Sequence, residues 1–445
     1  MSLGKRNPSR QDDLFVSHRD LPSSPGHPFY KALNALLSAS HFDDQLEQLC
    51  APYLAEGGRP SLPPGVYFRM LFVGFFEGID SQRGIAWRCS DSLSLRDFLG
   101  LSMSDSVPDH STLTRWRQRL PLDVHEEVFR LVLTLAVDKK LLGGKVMGVD
   151  STTLEANAAM KTIVRRKTRE PYKQYLRRLA EEAGIEDPSD DDLRRFDRNR
   201  PGKTSSNDEW KSPTDPDARI QRMKDGRTRM GYKAEHAVDL ENDIVVAAEI
   251  YHGNEMDVTT LVETVDRARS NLFIAGAGRK TREVVADKGY HSTGNLCDLE
   301  EMDLQPVIAD RYGRRRWTRR PDRERDAVYA NRRKNRTKRG RKLQRLRSEM
   351  TERTFAHVCD QGGARRTWIR GLKEVAKRYL MQVAARNLST IMRKLFGVGK
   401  PKGLRKANCS ILAALAPFGC WLAIVRPSIA QTRTSRFDSL VGYAA

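Results

Sequence analysis

Three carboxylates stand in contexts that suit chemistry. Asp150 closes the apolar run Val146-Met147-Gly148-Val149, and Asp287 closes Val284-Val285-Ala286. An acid at the end of a strand emerges at a sheet edge, where sites in α/β proteins commonly lie. Taken singly, each such aspartate is more often a helix cap or a turn acid. Glu352 precedes Phe355, Ala356 and Cys359 by three, four and seven residues, so in a helix over 348–360 it faces the packed side. An ionised carboxylate there needs a partner, because burying it unpaired is costly. A cation shared with the two strand-end aspartates would supply one. With no Cys or His nearby, the three would form a hard oxygen site, suited to magnesium or manganese rather than zinc. Two such ions about 3.5 to 4 Å apart can activate a water or hydroxyl on one side of a phosphodiester and stabilise the leaving oxygen on the other. Spacing alone does not single out these three from the chain's 57 acids.

The elements that must position them follow from the apolar pattern. Residues 1–28 are polar and read as a loose arm. Over 29–121 the pattern is helical: Leu33, Leu36, Leu37, Phe42 and Leu46, then Val66, Met70, Leu71 and Phe75. Pro108-Asp109-His110-Ser111 offers capping oxygens to a helix that turns Leu113, Trp116 and Leu120 to one face and leaves Arg115 and Arg119 off it. A strand ending at Asp150 begins the next unit. Residues 161–230, charged and rich in turn residues, read as a surface excursion. Tyr232, Ala234, His236, Val238 and Leu240 alternate up to a turn at Glu241-Asn242-Asp243, and 244–251 returns as the second arm of a hairpin. A helix follows, then the strand ending at Asp287, a further helix and a strand at 304–308. The order describes a mixed five-stranded sheet flanked by helices, an α/β unit over 122–395 preceded by an all-α N-terminal domain. Residues 396–445 form a tail of unassigned role.

Charge points to a polyanion. Lys and Arg number 78 against 57 Asp and Glu, a net charge of +21 over 445 residues. Residues 311–347 hold eighteen Arg and Lys and three acids, an excess of fifteen in one stretch, and read as an insertion in the α/β unit. Tyr312 and Trp317 lie among these arginines, and basic with aromatic residues suits stacking on unpaired bases. Nucleic acid is the expected partner, before membrane. The apolar runs at 66–78 and 409–425 are too short or too interrupted to span a bilayer and read as core helices. No Cys-x-x-Cys pair is present and no signal-like leader is read, so a reduced cytoplasmic protein without structural zinc is expected.

Four segments then resemble the blocks of bacterial insertion-sequence transposases of the DDE class, whose catalytic domain is RNase H-like. They are Gly148-Val149-Asp150-Ser151-Thr152-Thr153-Leu154-Glu155-Ala156-Asn157-Ala158, 231–239, Ala286-Asp287-Lys288-Gly289-Tyr290-His291-Ser292 and Glu352-Arg353-Thr354-Phe355-Ala356-His357. The resemblance covers about 146–392, and 29–120 resembles the helical domain that commonly precedes it. It implies that Asp150, Asp287 and Glu352 are the catalytic acids and hold two Mg2+ or Mn2+ ions. It implies a DNA transposase of the bacterial nucleoid that binds terminal inverted repeats, cleaves at the ends and joins the freed 3′ hydroxyl to target DNA. Its partners would be double-stranded DNA, both transposon ends and target, and a second copy of itself in the synaptic complex.

Many relatives carry Tyr, Arg and Lys at fixed offsets from the glutamate, where this chain has Arg345, Ser348 and Cys359. Phosphate contacts are therefore expected from Arg365, Arg366, Arg370 and Lys373, from Lys288 beside the second aspartate, and from Arg115 and Arg119. Arg314, Arg315, Arg316 and Trp317 are expected to bind DNA, with Trp317 stacking on a displaced base. His236 reads as a hydrogen-bonded core histidine. His291 and Tyr290 could reach a phosphate or simply pack. Two alternatives remain open: a metal-dependent nuclease of the same fold, and a transposase-derived DNA-binding protein without activity.

Overall fold

A computed structural model of the chain describes Ser17 and residues 24–55, 57, 61–201, 206–223, 225–278, 280–310 and 322–402. The helical region holds α1 (Pro28–Ala39), α2 (Phe42–Cys50), α3 (Pro64–Glu77), α4 (Gln82–Ser90), α5 (Leu93–Phe98), α6 (His110–Arg119) and α7 (Leu122–Asp138). The apolar run at 66–78 is α3, buried on nearly every side, as a helix hydrophobic all round must be. Its Arg69 is satisfied internally, by Asp43 at 2.6 Å and Asn34 at 2.7 Å. No helix of the described residues is long and apolar enough to cross a membrane. Asp109 caps α6 through the Thr112 amide at 2.7 Å, and Leu113 and Trp116 turn inward as their spacing requires.

The sheet comprises β1 (Val146–Glu155), the short β4 (Arg219–Arg222), β5 (Thr228–Asp239), β6 (Ile244–His252), β7 (Glu283–Ala286) and β8 (Gln305–Ile308). The order is β4-β5-β1-β7-β8, with β6 also paired to β5. β1 lies antiparallel to β5 and parallel to β7, and β7 is parallel to β8. The five expected strands are present, and β4 adds a sixth along the outer edge of β5, below the stretch paired to β6. The turn of the β5–β6 hairpin falls on Glu241-Asn242-Asp243, with Asp243 at φ 60°.

Between β1 and β4 the chain forms β2 (Val164–Arg165), α8 (Tyr172–Glu182), α9 (Asp190–Asn199) and β3 (Trp210–Lys211). Leu176, Ala180 and Leu193 make a small core of their own there. The stretch 161–230 is therefore a folded insertion, not only a surface excursion, and its last part belongs to the main sheet.

On the sheet lie α10 (Asp257–Ile274), α11 (Thr293–Glu301), α12 (Asp322–Arg336), α13 (Lys338–Phe355) and α14 (Leu372–Phe396). The helix expected over 348–360 starts ten residues earlier, inside the basic block, and passes at Ala356–Gln361 into a wider π turn. α14 packs at once on α7, α3 and β6, so one continuous apolar core runs from the helical region into the sheet. Its Arg386, fully buried, pairs with Asp243 and pins the hairpin turn. Residues 409–425 lie outside the described residues.

Candidate active site

The sheet brings the two aspartates together. Asp150 does not end its strand as the apolar run suggests. β1 continues through Ser151, Thr152 and Thr153, because β5 pairs with it as far as Glu155. The parallel register Met147↔Val284 and Gly148↔Val285, carried two residues further, sets Asp287 abreast of Asp150. Asp287 accepts the Gly289 amide at 2.7 Å and so caps the turn Lys288–Tyr290. Asp150 accepts the Ser151 amide on one oxygen at 2.9 Å. Its other oxygen takes Arg347 Nη1 at 2.7 Å and the Thr351 hydroxyl at 3.1 Å, both from α13. Burial pushes the Asp150 carboxyl up, Arg347 pulls it back, and the Asp287 charge adds a further upward push.

Glu352 is not on the packed side. It is exposed, and it accepts the Ser348 hydroxyl one turn back at 2.9 Å. The buried stripe of α13 runs through Gly340, Leu343, Thr351 and Thr354, one residue round the helix from Glu352. The burial of Cys359 belongs to the π turn, whose wider pitch breaks the i+7 relation. Among the described residues no group of three His, Cys, Asp or Glu side chains is gathered closely enough to hold a metal ion. The donor chemistry is that of a hard oxygen site, but Arg347 and Ser348 hold the acids that would complete it.

A second polar cluster lies behind the aspartates, and the sequence reading missed it. β5 is covered on both faces, so Lys233 and Glu235, between the inward-facing apolar residues, are buried as well. Lys233 Nζ contacts Glu235 at 3.0 Å, Asp257 at 2.9 Å and the Thr260 hydroxyl at 2.7 Å. Asp257 also accepts the Ser151 hydroxyl at 2.9 Å. A Cβ on Gly289 would lie 2.8 Å from Asp257 Oδ2 and 3.0 Å from Asp287 Oδ1, so Asp257 stands against the second aspartate too. The available signal was Lys233 and Glu235 recurring at period two in a strand that must be central.

Other expected residues divide by place. His236 is buried, bonded to Thr354 at 2.9 Å and Tyr379 at 2.8 Å and stacked on Phe355, and burial lowers its pKa to about 3. It is the core histidine expected. Tyr290 donates to Glu235 at 3.0 Å and faces the core, and His291 is buried 3.7 Å from Asp310. Neither is aimed at a surface ligand. Lys288 is exposed beside Asp287.

After the π turn the chain runs back along the end of β1, with Glu155 N bonded to Arg365 O and Thr367 N to Glu155 O. This carries Arg365 onto the Thr152 hydroxyl at 3.0 Å. Arg366, Arg370 and Lys373 are exposed further along, as are Arg115 and Arg119 on α6. Arg366 lies 5.0 Å over the ring of Trp368, which is 52% exposed. Trp368 lines a cavity of about 740 Å³ between this loop and the helical region. The run Arg365-Arg366-Thr367-Trp368-Ile369-Arg370 has the same basic and aromatic interleaving read at 311–317. Arg314, Arg315, Arg316 and Trp317 lie outside the described residues.

A family described as a transposase domain (DUF772) matches residues 17–119, the helical region. A family described as a transposase DDE domain matches residues 183–388, which include Asp287 and Glu352 and begin after Asp150. No curated protein and no solved structure matches the chain. The mixed sheet flanked by helices is the RNase H-like fold that the DDE family implies. A helical transposase domain ahead of a DDE domain is the make-up of the insertion-sequence DDE transposases, and the chain is similar to them over both matched stretches, which implies DNA as its partner.

Proposed function

We propose that this transposase binds the terminal inverted repeats of its element, cuts the DNA at the ends and joins the freed 3′ hydroxyl to target DNA, with Asp150, Asp287 and Glu352 as its catalytic acids. The observation that carries the reading is Asp287 abreast of Asp150 on adjacent parallel strands, with α13, which bears Glu352, bonded to Asp150 through Arg347 and Thr351 and to Ala286 through Gln344. The three carboxylates would hold Mg2+ or Mn2+, two ions in all. Such ions supply charge that activates the attacking oxygen and stabilises the leaving one.

The chain's own residues do the rest. The Ser151 and Gly289 amides fix the orientation of the two aspartates. Lys288, Arg365, Arg366, Arg370 and Lys373 offer charge to the DNA backbone on one side of the site, and Arg115 and Arg119 offer it from α6. Two ends must be processed together, so a homodimer in the synaptic complex belongs to the proposal. The units behind it are a helical domain over 29–121 and a catalytic domain over 122–395; most of the arm expected over 1–28 lies outside the described residues.

The test uses purified protein, labelled DNA carrying the element's ends, and Mg2+ or Mn2+. Cleavage and joining by the wild type, lost in Asp287→Ala while end binding persists, are expected. Cleavage without joining would replace the transposase reaction with a nuclease reaction, and binding without cleavage would leave a DNA-binding relic.

A further inference from the structure

Arg347 was not among the residues expected at the site, yet it makes the shortest side-chain contact to Asp150, at 2.7 Å. The contact is built into the fold. The arginine stem crosses β1 at Gly148, where an added Cβ would lie 3.0 Å from Arg347 Cγ and 2.7 Å from Leu240. A side chain at 148 would push the stem away from the acid two residues on. The Arg347 side chain is 11% exposed, and its Nε is buried with no hydrogen-bond partner among the described residues. The guanidinium is therefore half satisfied: one edge holds the aspartate, and another donor is left over. The buried Nε lacks a partner where the side chain now lies, and a move of the planar guanidinium to a phosphate would supply one.

We propose that Arg347 is the resident counter-ion of Asp150, competing with a divalent cation for that carboxylate and moving to a DNA phosphate when the cation takes its place. This rests on the reading of Asp150 as a metal ligand. A guanidinium and a divalent cation drawn to the same carboxylate repel each other, so Arg347 and the metal weaken one another's hold on Asp150. DNA, by drawing the guanidinium away, strengthens metal binding, and the metal strengthens DNA binding by the same factor.

The experiment measures Mn2+ affinity by calorimetry on the full chain, with and without a pre-cleaved duplex carrying the element's end. Wild type, Arg347→Met and Asp150→Asn are compared. Without DNA, Arg347→Met is expected to bind Mn2+ about tenfold more tightly than wild type, within the usual span of such coupling. DNA is expected to raise the wild-type affinity and to leave that of Arg347→Met unchanged. Asp150→Asn is expected to lose the binding.

If Arg347→Met binds Mn2+ no better than wild type, or still gains affinity with DNA, while Asp150→Asn loses it, the competition is refuted and the metal reading stands. If Asp150→Asn binds Mn2+ as wild type does, the metal reading falls and this proposal with it. A circular dichroism melt confirms that each variant is folded, and Arg347→Lys, which keeps the charge, should behave more like wild type than Arg347→Met does.

Discussion

Replacing Lys233 by Met tests whether the buried cluster behind the aspartates supports the site. Lys233 is the cation that meets Glu235, a fully buried carboxylate, and Asp257, which is a third exposed. Removing one partner of a buried pair typically costs about 3 to 5 kcal/mol, because the other charge is left uncompensated. The Asp257 contact, partly in solvent, adds little to that. The cost should depend on pH with a definite sign. Burial raises the Glu235 carboxyl above its ordinary value, Lys233 lowers it, and the substitution removes that lowering influence. A carboxyl whose folded pKa lies above its unfolded value is tolerated at low pH, and its stability contribution is lost as pH rises from the unfolded value towards the folded one.

Urea unfolding midpoints should therefore show the full loss for Lys233→Met at pH 8. Near pH 5 the loss should be smaller, about 1 to 2 kcal/mol, for the missing hydrogen bonds to Thr260 and Asp257. The double variant Lys233→Met/Glu235→Gln should recover most of the stability at pH 8. It should not recover strand transfer, since Asp257 still lacks the cation that holds it against Ser151. An equal loss at both pH values, or no recovery in the double variant, would refute the reasoning.

Two more outcomes follow from the geometry. Gly289→Ala would set a methyl against Asp257 Oδ2 and Asp287 Oδ1. Asp257 is tied by Lys233 and Ser151, so Asp287 must shift, and strand transfer should fall about a hundredfold with end binding unchanged, as misplacement of a reacting group by an ångström does. His125 and His236 are buried, and burial lowers their pKa values to about 4 and about 3. Each contributes stability in full above the unfolded value of 6.5 and loses it as pH falls towards the folded one. By pH 5.5 the loss should be roughly 1.4 kcal/mol per histidine relative to pH 8, and a His125→Gln/His236→Gln variant should show a flatter acid limb in urea titrations.

Local signals carried through and non-local ones did not. The α6 cap at Asp109, the hairpin turn at Asp243 and the strand before Asp287 each rest on a few adjacent residues, and each was legible. β1 was truncated in the reading because Ser151-Thr152-Thr153 is polar; it remains a strand because β5 pairs with it for its whole length. Lys233 and Glu235 were passed over because the alternation of Tyr232, Ala234, His236 and Val238 draws attention to one face of the strand only. They are buried because β5 is an interior strand, flanked by β1 and β6, and α10 covers that side. The early start of α13 was hidden by the charge of 338–347, which says where a helix is solvated and nothing about whether it is a helix.

The same distinction explains why the aspartates and the glutamate are supported so differently. Asp150 and Asp287 take backbone amides and are set by the ladder of adjacent strands, so their separation is fixed when the sheet forms. Glu352 takes only Ser348 of its own helix, so its position relative to them is set by how α13 lies on β1. That placement is made partly by Gln344, which bonds Ala286 and Val307, and partly by Arg347 and Thr351, which bond the very carboxylate Glu352 would have to join. Two of the contacts that align the helix therefore lie on a carboxylate of the proposed site. Bringing the third acid to the other two requires Glu352 to leave Ser348 and Arg347 to leave Asp150, while Thr351 can keep the helix in register. The π turn just after Phe355 widens the pitch of the helix, and it connects α13 to the loop of Arg365 and Arg366, which under the proposed function would meet DNA. On the proposed function, DNA held by that loop would act on the same helix that carries Glu352.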